Sequence, residues 1–194
     1  MEKSLTLELH KLFNSQRRFK YPLEKEEKNA IPKNGIYIFF EKGETYKTPE
    51  GEILDRIVRV GIHKKDGLLR SRLNQHFKGN SRASSFRRYV GQSIQNKKGT
   101  QNKGKLLEQE ISIYMQENLS FVVFEVEEKD RRISIESKII STLSNDKTIP
   151  SEDWLGNYSI QPKIKESGLW LVQELYKENL TQEEFEELKQ IVLS

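Results

Sequence analysis

Residues 34–77 read NGIYIFFEKGETYKTPEGEILDRIVRVGIHKKDGLLRSRLNQHF, and this stretch decides the fold. Asn34-Gly35 is a turn signal, after which Ile36 to Phe40 is a run of aromatic and β-branched residues that suits a strand. A second apolar run, Ile57 to Ile62 with Arg59 inside it, predicts an antiparallel partner. Glu41 to Arg56 lies between them with Gly43, Pro49 and Gly51, and reads as a long polar loop. Beyond Gly61 the period changes. Leu69, Leu73 and Phe77 recur at helical spacing from about Leu68, which puts Arg72 and His76 one turn apart on the same face.

Outward from this stretch, Leu5, Leu9, Leu12 and Phe13 predict an amphipathic helix over residues 4–19, followed by a charged linker from Glu24 to Asn29. A second helix carries Phe86, Tyr89, Val90 and Ile94 with Ser81 or Ser84 as N-cap. Gln95 to Lys105 reads as an exposed basic loop, and Leu106 to Asn118 as a further helix. Leu119 to Val126 is the strongest strand signal in the chain and predicts a third strand. Asp130 predicts the cap of a helix to Ser144, with Ile133, Ile139, Ile140 and Leu143 on one stripe. Asn145 to Lys165 predicts a long loop anchored by Trp154 and Tyr158. Thr181 with Glu184 forms a capping box, and Leu180 with Phe185 a hydrophobic staple, opening the last helix. The expected fold is α/β: a small, mainly antiparallel three-stranded central sheet flanked by helices. It divides into residues 1–30 as a helical extension, 31–165 as the main domain and 166–194 as a packing segment.

Composition narrows the chemistry. The chain of 194 residues has no Cys, which excludes disulfides and thiolate metal sites, so a metal would be held by oxygen or His. No apolar run approaches the roughly 20 residues of a membrane span, and the first residues lack a signal-peptide pattern, so a cytoplasmic protein is expected. The net charge of +4 is uneven: residues 63–105 hold twelve Lys and Arg against one acid, a local net of +11 that leaves −7 for the remainder. Concentrated basic charge suits a polyanion, with Lys64, Lys65, Arg70, Arg87 and Arg88 as candidate contacts. Glu136 lies on the apolar stripe of its helix, where a carboxylate faces the protein body and requires a cation or donors.

The order of these pieces resembles the GIY-YIG nuclease family. The resemblance rests on Gly35-Ile36-Tyr37, on Arg59-Val60-Gly61 with Arg59 standing where the family has Tyr, on Arg72 followed by His76, and on the later helical Glu136. It covers about residues 33–160. It implies a DNA endonuclease using Mg²⁺ (or Mn²⁺), with Glu136 as metal ligand and Arg72 pairing with the scissile phosphate. His76 would orient the attacking water or pass its proton. Tyr37 would take or relay that proton, although a phenol is a weak base at neutral pH unless cations adjoin it. His63 is a candidate to compensate for the missing Tyr, and Asn157 resembles the polar residue that follows the catalytic Glu, with Asn145 and Gln161 as rivals. A non-cleaving nucleic-acid-binding domain or an interaction module on the same fold is the alternative.

Overall fold

The computed structural model describes residues 4–146 and 148–194. Its sheet has four antiparallel strands in the order β1-β4-β2-β3. The centre is β2 (Gly35–Lys47), paired with β3 (Ile53–Ile62) on one side and β4 (Leu119–Glu125) on the other. Its continuous apolar run follows from burial on both faces. Ile36, Ile38 and Phe40 enter one core, while Tyr37 and Phe39 enter the other.

The first core lies under α3 (Leu69–Lys78), α4 (Ser85–Lys98) and α5 (Gly104–Asn118), whose Leu73, Phe77, Phe86, Val90, Ile111 and Met115 are buried. Phe39 is its hub, with its ring centroid within 6 Å of those of Tyr37, His76, Phe77, Phe86 and Phe121. Truncating such a ring costs about 3–5 kcal/mol. The second core lies under α1 (Leu5–Asn14), α6 (Lys129–Asn145) and α8 (Gln182–Leu193). Residues from both ends of the chain therefore share one core: Leu9, Leu12 and Phe13 join Leu180, Phe185 and Leu188.

Several expectations are corrected. The sheet has four strands rather than three, because Phe19–Lys20 forms β1 and pairs with Phe121 and Ser120. Two residues carry no alternation of their own, and the edge of β4 templates them. The first helix accordingly ends at Asn14 rather than at Phe19, and a short helix α2 (Lys25–Ala30), opened by a Glu24/Glu27 capping box, replaces the charged linker. The long loop is largely strand: β2 and β3 re-pair at Thr45↔Asp55, Tyr46↔Leu54 and Lys47↔Ile53 beyond a bulge. Gly43 supplies a φ of 86° there, a conformation that costs other residues more. Helix α4 runs to Lys98, into the expected basic loop, and Gly99 ends it with a φ of 64°. Asp130 lies inside the first turn of α6, and Glu128 is the N-cap. The predicted loop from Asn145 contains a 3₁₀ turn (Leu155–Tyr158) and α7 (Pro162–Ser167). Trp154 anchors it at 2% exposure, whereas Tyr158 is exposed. Ser84 caps α4, accepting a hydrogen bond from the Arg87 amide, and the Thr181/Glu184 capping box forms as predicted.

Candidate functional site

The outer edge of β3 is where the two sheet faces meet. Near its middle the edge is covered, since the Trp170 amide donates to the Val58 carbonyl at 2.8 Å. Further along, from Arg59 to Lys65, a cleft of about 390 Å³ opens. Tyr37 from β2 and Arg72 from α3 reach it from one face of the sheet, and Glu136 from α6 reaches it from the other. His63, Lys64 and Lys65 leave the end of β3 along its rim. Six expected residues of the chemistry and phosphate set, Tyr37, His63, Lys64, Lys65, Arg72 and Glu136, thus converge although they come from four separate parts of the chain.

Tyr37 is positioned by the strand register. Its partner across the ladder is Gly61. A Cβ at Gly61 would lie 2.3 Å from the Tyr37 hydroxyl and 2.4 Å from Cζ, so the phenol lies across β3 only because that residue has no side chain. The hydroxyl is then 2.8 Å from His76 Nε2, and His76 Nδ1 is 2.9 Å from Ser84 Oγ. His76 is fully buried and does not line the cleft; it stands behind Tyr37. Burial, reinforced by the Arg59, Arg72 and Arg87 guanidinium groups, holds its imidazole well below the usual histidine range, so it is neutral at pH 7. A neutral imidazole has one donor and one acceptor nitrogen. With Nδ1–H donating to Ser84, Nε2 carries the lone pair that accepts the Tyr37 hydroxyl.

Glu136 is half-buried, and desolvation pushes its carboxyl up to about 7. Arg59, Lys64 and the Ile62 amide pull it back down, while Glu174 pushes the same way as burial. A carboxylate held this far from water, with open cleft beside it, suits a hard cation. Among the described residues no three His, Asp or Glu side chains converge as a metal cage. One carboxylate with retained waters is, however, a normal setting for Mg²⁺, so the donor set fits that ion.

Arg59 stands out from the other buried arginines. Arg56 pairs with Glu44 at 2.6 Å, Arg87 with Glu108 at 2.8 Å, and Arg132 with Asp66. Arg59 is 5% exposed, donates Nη1 to the Trp170 carbonyl and lies over the Phe86 ring at 4.7 Å. Among the described residues no carboxylate is in ion-pair range of it, and its buried Nε has no hydrogen-bond partner. Arg72 is also without a carboxylate; it makes only long contacts to Gln75 and to the Ala83 carbonyl, at 3.3 and 3.5 Å.

Other sequence candidates lie elsewhere. Asn157 Nδ2 donates to the Ser151 and Glu152 carbonyls, tying the 3₁₀ turn to its own loop outside the cleft. Asn145, its rival, hydrogen-bonds Asn179 near α8, and Gln161 lies outside the cleft as well. Arg87 is fully buried, bonded to Glu108 and to the His76 carbonyl, and therefore presents no surface to a polyanion. Arg70 is exposed but spends its guanidinium on the Ile31 and Asn29 carbonyls. Arg88 is exposed over the Tyr89 ring. His63 turns into its own loop, where its Nδ1 accepts from the Lys65 amide at 3.0 Å. Sequence reasoning missed Gln173 and Glu174, which line the cleft from the segment after Trp170. Glu174 has a φ of 63°, unusual for a non-glycine residue, and nothing in the local sequence signals it.

A family model described as a GIY-YIG domain matches residues 4–194. No curated protein and no solved structure gives a significant match.

Proposed function

The chain belongs to the GIY-YIG domain family, a nuclease-type family, and from that premise we propose that it is a DNA endonuclease dependent on Mg²⁺ or Mn²⁺. The observation that carries the reading is the convergence of Glu136, Arg72 and the Tyr37–His76 pair on one cleft rimmed by Lys64 and Lys65. Glu136 would hold the cation, which supplies neutralisation of the phosphoryl oxygens and of the leaving 3′-oxygen when bound. Arg72 presents a forked guanidinium to the scissile phosphate, which suits its oxygens better than an ammonium would. Tyr37 faces the cleft and takes or relays the proton of the attacking water, its hydroxyl held by His76 Nε2, 2.8 Å behind it. Ser84 fixes the imidazole orientation for that hydrogen bond. Lys64 and Lys65 draw the backbone of the substrate toward the opening. No helix among the described residues is long and apolar enough to cross a membrane. A cytoplasmic site of action remains part of the proposal.

Arg59 in place of the motif tyrosine supports a second reading, a non-cleaving nucleic-acid-binding domain. Plasmid DNA incubated with wild type, Glu136→Ala and Arg72→Ala, in Mg²⁺ or Mn²⁺ and in EDTA, separates the two. Nicking by wild type only with metal, reduced at least ~100-fold in both variants, is expected of the nuclease. DNA binding without metal-dependent cleavage on any substrate would give the second reading its place.

A further inference from the structure

A buried guanidinium without a counter-ion is costly, and a protein normally removes the cost with a carboxylate. This chain does so for Arg56, Arg87 and Arg132. Arg132 also has an unpartnered Nε, yet Asp66 balances its charge. Arg59 keeps both deficits, and of these four residues it alone lines the cleft. Glu136 and the Tyr37 hydroxyl act on it electrostatically, but no carboxylate lies in ion-pair range and its Nε–H is unspent. Arg72, the other cleft arginine without a carboxylate, enters from α3.

We propose that Arg59 is a substrate-contacting residue, which with Arg72 holds one phosphate of the nucleic acid between two guanidinium groups at the floor of the cleft. The proposal rests on the nucleic-acid reading above. It gives the position occupied by the family's motif tyrosine a different task, in which Arg59 contributes charge and a donor while Tyr37 and His76 alone move the proton. The ligand is a phosphodiester oxygen rather than a carboxylate of the chain, because Nη1 is already spent on Trp170 and Arg59 lines a cleft that also holds Arg72, Lys64 and Lys65.

The test measures binding apart from cleavage. In a Glu136→Gln background, the affinity for a short DNA duplex is followed across a series of KCl concentrations for Arg59→Met, Arg59→Lys and Arg72→Met. Arg59→Met is expected to weaken binding ~10- to 100-fold and to reduce the slope of log K against log salt by about 0.9, one phosphate contact. Arg59→Lys retains the slope and loses part of the affinity. A purely structural arginine, supporting Trp170 and Phe86, would lower thermal stability and leave the slope unchanged, and that result overturns the proposal. Should Arg59→Met not fold, the Nε–H resonance of Arg59 in the chain with arginine intact is followed during titration with a thymidine dinucleotide. A saturable shift supports the contact, and no shift overturns it. If wild type nicks plasmid and Arg72→Met lowers the slope while Arg59→Met does not, only the Arg59 assignment falls. If no form binds DNA, both readings fall together.

Discussion

Strand β2 carries polar groups into the same core at two places four residues apart, and the protein treats them oppositely. At Glu41 every need is met internally. Its carboxylate accepts from Tyr114, from Trp154 Nε1 at 2.9 Å and from Trp170 Nε1 at 2.8 Å, while the neighbouring Glu44 takes Arg56 and Ser151. Burial raises the Glu41 carboxyl, and these three donors pull it back. At Tyr37 the needs are left open: Arg59 has no carboxylate in ion-pair range and an unpartnered Nε, Glu136 is partly desolvated, and both border a cleft. Trp170 joins the ends, giving its indole N–H to Glu41 and its carbonyl to Arg59. A satisfied polar network holds a fold in one arrangement, whereas unsatisfied groups gathered at an opening are where a ligand can complete the set.

The satisfied end governs stability and the unsatisfied end governs activity. Arg56→Ala strands Glu44 in the core and should cost ~3–5 kcal/mol in urea unfolding; a loss under 1 kcal/mol would mean the network is not holding the fold together. The next effect in size has the opposite sign. Glu136 titrates near 4.5 in an unfolded chain but about 7 in the native one, so the native state binds more protons between these values. The stability this gives is full below pH 4.5 and is lost as pH rises through 7. Glu136→Gln removes the titration and should make the metal-free protein about 2–3 kcal/mol more stable than wild type at pH 8 while abolishing cleavage. Identical stability-versus-pH curves for the two would break the comparison.

Gly61→Ala sharpens it, because the new methyl would meet the Tyr37 ring 2.3 Å from its hydroxyl. It should cost ~1–3 kcal/mol of stability but a larger factor in cleavage rate, since the Tyr37–His76 hydrogen bond is displaced. Cleavage unchanged in a folded Gly61→Ala protein would remove Tyr37 from the proton path. Asn157→Ala should do least: only a loop tie is lost, at about 0.5–1.5 kcal/mol, with the cleavage rate at wild-type level. A collapse of activity there would place the loop from Asn145 in the site after all.

Much of this architecture is legible in the sequence. Alternation is invisible in Ile36 to Phe40, but its length, its Asn34-Gly35 turn and its β-branched and aromatic content mark a strand, and the packing buries both its faces. The i, i+4 relation of Arg72 and His76 was read correctly as one helical face, yet the roles of the two diverge. Arg72 borders the cleft and His76 lies buried behind Tyr37, because the burial of a side chain depends on what packs over the helix. Arg87 is expected from local charge and Asn157 from the family resemblance, and their partners Glu108 and Ser151 tie both elsewhere.

The sequence by itself determined the strand-loop-strand-helix order, the uneven charge, the capping box that begins the last helix, and the residue types available for chemistry. Each of these depends on neighbours within a few positions. Tertiary structure alone decided which polar groups are satisfied and which are left for a ligand: Arg59 meets Trp170 across 111 residues, and Tyr37 meets His76 across 39. A side chain's type is written at its own position, but its partner is set by where the packed core brings distant segments together.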